Sequence, residues 1–271
     1  MKNRFLRSIS SMLVALLLFT MLPSQVVLAF SYDEGFYDST FETNYNRLEY
    51  QTNSSADTWD GSFSTKIPIT VPAGRDGMQP DLALSYSSST SNMDNFYGYG
   101  WSLGIPSISR LKKKGVDTLY TEEYFTSSFD GELVDVALSS GSYGEYAARV
   151  EGGSFLTYEY DSSGYWTVMD QSGTVYTFGS SAATRQDNLS DSTQVYKWML
   201  EEVRDANDNY VKYEYTKDNG QIYPETITYT GHGTTDGIFS VEFTTESRTD
   251  TFSSYATGFE IQTNYRISEI T

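Results

Sequence analysis

Along most of the chain apolar side chains recur at every second position, and this alternation predicts strands rather than helices. Phe63, Ile67, Ile69 and Val71 form one alternating set and Leu82, Leu84 and Tyr86 another. Between them the stretch from Pro72 to Pro80 carries Gly74 and Gly77 and has to turn, so two strands joined by a long loop are expected. The clearest local pattern lies between Phe155 and Phe178. Here FLTYEY, YWTVM and TVYTF are separated by Asp161 to Gly164 and Asp170 to Gly173, whose composition suits tight turns, and a three-stranded antiparallel meander follows. On its first strand Leu156, Tyr158 and Tyr160 share a face, opposite Phe155, Thr157 and Glu159, so the aromatic face is expected to be buried. The strand around Trp198 to Val203 is expected to pair with Tyr210 to Tyr215 across Asp205-Ala206-Asn207-Asp208-Asn209. The segment KWMLEEVRD contains good helix formers, but its strand neighbours and short following connection favour a strand. A last group, Glu225 to Tyr229, Phe239 to Thr244 and Phe259 to Ile270, ends in mid-pattern. Its final strand has only Arg266 and two Glu as guards, so an open edge that recruits partners is expected there.

The pattern therefore predicts an all-β protein, an antiparallel meander of hairpins forming an open, curved sheet of shell or sandwich-like character. Composition agrees: 23 Tyr, 15 Phe and only 6 Pro suit strands joined by turns. The beginning of the chain departs from this pattern. Lys2, Arg4 and Arg7 precede an apolar run from Met12 to Leu22, and Val27-Leu28-Ala29 follows, which is the pattern of a signal peptide cleaved after Ala29. The run is too short for a membrane-spanning helix of roughly 20 residues, and no later segment is apolar enough, so a secreted, extracellular product without a membrane span is expected. Residues 30–58 are polar without a period and read as a leader or linker, leaving 59–271 as the β domain.

Charge narrows the function further. There are 36 acidic and 18 basic residues, a net charge of −18, and loss of residues 1–29 removes basic residues only. Such a field disfavours nucleic acid as a partner. The basic run Arg110 to Lys114 reads as a solvated strand end or turn. Cysteine is absent, which excludes thiol chemistry and disulfide staples.

The segments IPITVPAGRDGMQPDLALSYSSS (Ile67 to Ser89) and GYGWSLGIPSISR (Gly98 to Arg110) carry a family resemblance. In order and content they resemble the N-terminal domain of the Salmonella virulence plasmid B protein, a domain shared with the B component of three-part insecticidal Tc toxins and associated with RHS and YD-repeat proteins. FDGELVDV (Phe129 to Val136), DANDNYVKYEY (Asp205 to Tyr215), ITYTG (Ile227 to Gly231) and GFEIQTNYRISEI (Gly258 to Ile270) look like later elements of that family, so the resemblance runs from about Gly61 onward. It implies wall material: a non-catalytic, virulence-associated segment of a hollow β-sheet shell around a toxic cargo. The implied partners are a downstream RHS/YD-repeat or toxin polypeptide and other toxin components. The family's ADP-ribosyltransferase activity lies in a separate C-terminal domain, and nothing in these motifs carries it over. In physical terms Gly98, Gly100 and Gly104 permit tight turns around the large Trp101. A nucleotide-binding loop is disfavoured because no strand-turn-helix setting or Lys-Ser/Thr pair accompanies them.

Candidate chemistry is sparse, and no catalytic, cofactor-binding or metal residue is expected. The single histidine, His232, sits between Gly231 and Gly233 and reads as an exposed turn residue. Glu122-Glu123 and Glu201-Glu202 carry little information in so acidic a chain. Asp205, Asn207 and Asn209 have the spacing that opens a calcium loop, but Tyr210 and Thr216 stand where that loop needs Gly and Glu, and a hairpin turn is favoured. The alternative to a shell segment is a stand-alone extracellular module whose aromatic strands bind carbohydrate or a cell-surface partner.

Overall fold

The computed structural model describes residues 54–56, 59, 61–90 and 95–271; the expected signal peptide and most of the polar leader lie outside them. Among the described residues seventeen strands account for nearly all regular structure, with 3-10 turns at Ser88–Thr90 and Ala182–Thr184. The first four strands, β1 (Ser55–Ala56), β2 (Phe63–Ile69), β3 (Leu82–Ser87) and β4 (Trp101–Ser102), form a separate antiparallel sheet. The expected pair lies at its centre, with Ile67 opposite Leu84. The glycine motif then makes the corner: Gly98, Gly100 and Gly104 all have positive φ, the Trp101 amide donates to the Gly98 carbonyl, and the Ser87 amide donates to that of Gly100.

The remaining strands overturn the expectation of an open sheet. Eight of them close into a barrel: β5 (Ser107–Arg110), β6 (Phe125–Ser127), β7 (Gly131–Ser140), β8 (Tyr143–Ala148), β9 (Thr157–Tyr160), β10 (Trp166–Met169), β11 (Val175–Phe178) and β13 (Asp191–Arg204). Short β12 (Arg185–Asn188) pairs β13 beside β11. Closure depends on β13, which is 14 residues long. Its Lys197–Met199 segment pairs β5, whereas its Leu200–Arg204 end pairs β11. Beyond the closure it also pairs β14 (Asn209–Asp218), which leads to β15 (Gln221–His232), β16 (Phe239–Ser254) and β17 (Ile261–Ile270) as a sheet extending from the barrel. The expected meander forms the β9-β10-β11 part of the wall, and KWMLEEVRD is strand, as its surroundings favoured.

Side chains fill the barrel. Ile108, Phe125, Trp166, Val168, Phe178 and Trp198 have no exposed surface. The Phe125 ring meets Trp166 at 4.9 Å and Trp198 at 5.8 Å edge-on, and Tyr160 stacks on Trp166 at 4.6 Å. Offset and edge-to-face contacts of this kind add about 0.5–1.5 kcal/mol per pair beyond area burial. The Trp198 indole N–H donates to the Gly164 carbonyl at 2.9 Å, which ties β13 to the β9-β10 turn.

The outer edge of β17 is not bare. The Ile267 amide donates to the Phe96 carbonyl and that of Gln262 to Asn219, while the Tyr223 hydroxyl accepts from the amides of Asn264 and Tyr265. Residues distant in sequence cover the edge, so alternation within the strand gave no sign of it.

Candidate functional site

One basic residue is fundamental to the barrel. Strand β5 alternates, so Arg110 shares the buried face with Ile108, and Arg110 is 8% exposed rather than solvated. Its Nε donates to the Val195 carbonyl at 2.9 Å and its Nη1 to that of Leu119 at 3.3 Å, and Nη1 also meets Glu123 at 3.2 Å. The guanidinium lies 5.2 Å from the Phe125 ring centroid and 5.8 Å from that of Trp198. A planar fork satisfies several acceptors while lying against aromatic faces, which a lysine could not do. Lys113 and Lys114 are solvated as expected of a strand end, pairing with Glu132 and Glu122 near the surface. Glu123 is thus structural, and so is Glu201, which accepts from the Ser181 amide at 2.9 Å and the Thr184 hydroxyl at 2.8 Å. Glu202 pairs with Arg204 at 2.8 Å.

The Asp205 carboxylate is occupied by its own turn. Oδ1 accepts from the amides of Asn207 and Asn209, both at 2.8 Å, and Oδ2 from the Asn209 side chain at 2.7 Å. Partial burial pushes this carboxyl up, but those hydrogen bonds outweigh it and hold it below the usual range. Asp205, Asn207 and Asn209 therefore form the hairpin turn their composition favoured. His232 is exposed, and its backbone pairs with Asn209 and Thr235. Inside the barrel, burial pushes the Tyr160 phenol up to about 12 and raises Tyr146 and Tyr158 as well, so these hydroxyls stay neutral near pH 7.

With the interior filled, surface available to a partner lies outside. A groove of about 390 Å³ crosses the outer faces of β7 to β10, lined by Val136, Glu145, Leu156, Glu159, Thr167 and Met169. The register sets Glu145 directly opposite Glu159, and neither has an ion-pair partner among the described residues. Like charges in directly opposed positions disfavour the sheet. Val136 (63% exposed) and Met169 (46%) put apolar surface in the groove, and exposed Phe155 immediately precedes its lining residue Leu156. Sequence reasoning had placed Glu159 on the polar face, but the pairing with Glu145 depends on register and was missed.

A second aromatic cluster, of exposed Phe63 and half-buried Tyr86 and Trp101, lies on the small sheet. Tyr86 packs against Trp101 at 5.3 Å and Phe63 against Tyr86 at 6.2 Å. Beside them is a cavity of about 500 Å³ with Ser87, Thr90 and Asn95 in its lining.

Comparison with known proteins adds context. The model of the family described as Salmonella virulence plasmid 65kDa B protein matches residues 57–237. The mono(ADP-ribosyl)transferase SpvB of Salmonella typhimurium is 30% identical over 186 residues, covering 59% of this chain and 31% of that protein. The chain thus spans about a third of the length of the curated relatives it matches. Among solved structures, the TcdB2-TccC3 crystal structure aligns with a TM-score of 0.68 and 22% identity over 82% of this chain and 14% of that one. The N-terminal domain of effector protein SpvB from Salmonella typhimurium strain LT2 aligns with a TM-score of 0.64 and 21% identity, over 75% of this chain and 86% of that one. These structural likenesses concern the fold.

Proposed function

The chain belongs to the Salmonella virulence plasmid 65kDa B protein family, and from this premise we propose that it is a secreted, non-catalytic wall segment of a Tc- or RHS-type toxin carrier. In this reading residues 1–29 direct export, 30–58 form a leader, and 59–271 are the wall domain. Its partners are a downstream RHS/YD-repeat or toxin polypeptide and other toxin components. The observation that carries the reading is the filled barrel. A barrel packed solid with Phe125, Trp166 and Trp198 holds no ligand, so it serves as rigid material whose outer face is free for contacts. The groove with Glu145 and Glu159 is the contact surface, and it suits a partner presenting lysine or arginine among apolar side chains. Support also comes from the shared fold with TcdB2-TccC3, itself a complex of toxin components.

The test mixes the full chain with the polypeptide encoded downstream and measures mass by light scattering after size exclusion. The expected result is a complex of combined mass, weakened by the double reversal Glu145→Lys/Glu159→Lys. Two separate species at micromolar concentrations would contradict it. The ladder of exposed Phe63 and half-buried Tyr86 and Trp101 favours a second reading, a carbohydrate-binding module, because aromatic rings beside hydroxyl and amide groups suit sugar stacking. Glycan binding lost in Trp101→Ala, without complex formation, would support that reading instead.

A further inference from the structure

A cleft on the opposite side of β13 contains an amine that the wall function does not use. Trp198 and Leu200 point into the barrel, so Lys197 and Met199 project outward. Over them lie the start of β15 and the far end of the β16-β17 hairpin, enclosing a cleft of about 270 Å³ lined by Phe96, Lys197, Gln221, Ile222, Ile261 and Thr263 among others. Its walls are pinned: the Gln186 side-chain amide donates to the Gly220 carbonyl at 3.1 Å and the Gln262 amide to that of Asn219 at 3.0 Å.

Lys197 has no hydrogen-bond acceptor or ion-pair partner among the described residues. The charged groups on the surrounding elements are engaged elsewhere. Asp187 pairs with Lys217, Asp250 with Arg248, and Glu246 with Arg266, while Glu260 accepts from Ser253 and Arg185 donates to backbone carbonyls. The charge that does act on Lys197 is another cation, Lys112, held over the Tyr196 ring. The side chain is half-buried, and that burial first, with Lys112 second, pushes the Lys197 amine down from its ordinary range. An aliphatic side chain would fill this place without that desolvation cost. A partly desolvated lysine beside a second cation is the arrangement that makes an amine nucleophilic toward carbonyl groups.

We propose that Lys197 is a covalent capture site for a small aldehyde- or ketone-bearing ligand, held in the cleft between the barrel and the β16-β17 hairpin. The unprotonated Nζ attacks the carbonyl carbon to give a carbinolamine. Loss of the former carbonyl oxygen as water, carrying two protons that come from the amine, leaves a carbon–nitrogen double bond. No oxidant or reductant enters this step. Phe96, Ile222 and Ile261 give the ligand's apolar part a surface, and Thr263 supplies a hydroxyl with no other side-chain bond among the described residues.

The experiment exposes the full chain to propanal at neutral pH and traps imines with cyanoborohydride, which delivers hydride to the imine carbon and fixes a secondary amine. Peptide mass mapping then ranks the lysines. Lys197 is expected to react roughly tenfold faster than exposed lysines, whose amines are almost wholly protonated at that pH. Labelling that follows exposure, with Lys197 no faster than Lys66 or Lys212, would overturn the proposal. As a second measurement, Lys197→Met should abolish the fast-reacting fraction and leave the slow labelling of other sites unchanged. Survival of the fast fraction in that variant would overturn it equally.

Discussion

Three turns in this protein use one device. In each, an aspartate accepts the amide two residues on, and the fourth residue takes a positive φ: Asp161 with Gly164 (79°), Asp170 with Gly173 (84°) and Asp205 with Asp208 (63°). The third turn alone places a side chain where the left-handed region favours glycine. Asp208→Gly is therefore expected to stabilise the fold by about 0.5 kcal/mol, after allowing for the flexibility glycine adds to the unfolded chain. A urea midpoint that falls would contradict this. The turn carboxylates also give the fold a pH dependence. In Asp161 the Ser163 amide is the main cause of a lowered pKa; in Asp205 partial burial opposes and is outweighed by the bonds from Asn209 and Asn207. A folded pKa below the unfolded value of about 3.9 means the contribution is complete above that pH and is lost as pH falls through the folded value. The melting temperature of wild type is thus expected to exceed that of Asp205→Asn at pH 7, with the gap closing below about pH 4. A constant gap would show that charge plays no part. These turns were legible in the sequence because each is encoded within five residues. The calcium-like spacing of Asp205, Asn207 and Asn209 was legible too, and it proved to be the same turn.

At the level of elements, legibility followed the distance between partners. The β9-β10-β11 meander could be read because its strands are neighbours with short turns between them. Barrel closure could not. It rests on Lys197–Met199 meeting Ser107–Ser109, some 90 residues earlier, and on β5 and β6, which at 4 and 3 residues are too short to show alternation. The run Arg110 to Lys114 misled for a related reason, since its charges looked uniform. The usable signal was parity, because Arg110 stands two residues after Ile108 and so shares its face. Arg110 joins β5, β13 and the segment carrying Leu119 and Glu123 at one end of the barrel. Arg110→Met is expected to cost about 2–4 kcal/mol, because it leaves buried carbonyls without a donor. Arg110→Lys should restore only part of that, lacking the fork. Equal stability of wild type and Arg110→Met in chemical denaturation would refute this role.

For the whole molecule, the closed barrel and the sheet branching from β13 make a body whose aromatic interior gives rigidity and whose outer face carries carboxylates without ion-pair partners among the described residues, and exposed apolar side chains. The motifs from Ile67 to Arg110 pointed to the family, and the family model's match to residues 57–237 includes them. The groove itself could not be foreseen, because Glu145 and Glu159 meet only through register. The most direct test of a wall segment that works through this face is hydroxyl-radical footprinting of the full chain, alone and mixed with the proposed toxin-component partner. Side-chain oxidation reports the outward-facing groups themselves, whereas backbone exchange is already suppressed by the strand pairing. The account predicts that Met169 and Phe155 become protected in the mixture while Trp166 and Trp198 stay unreactive in both samples. Unchanged oxidation of Met169 and Phe155 in a mixture that has formed a complex would contradict it.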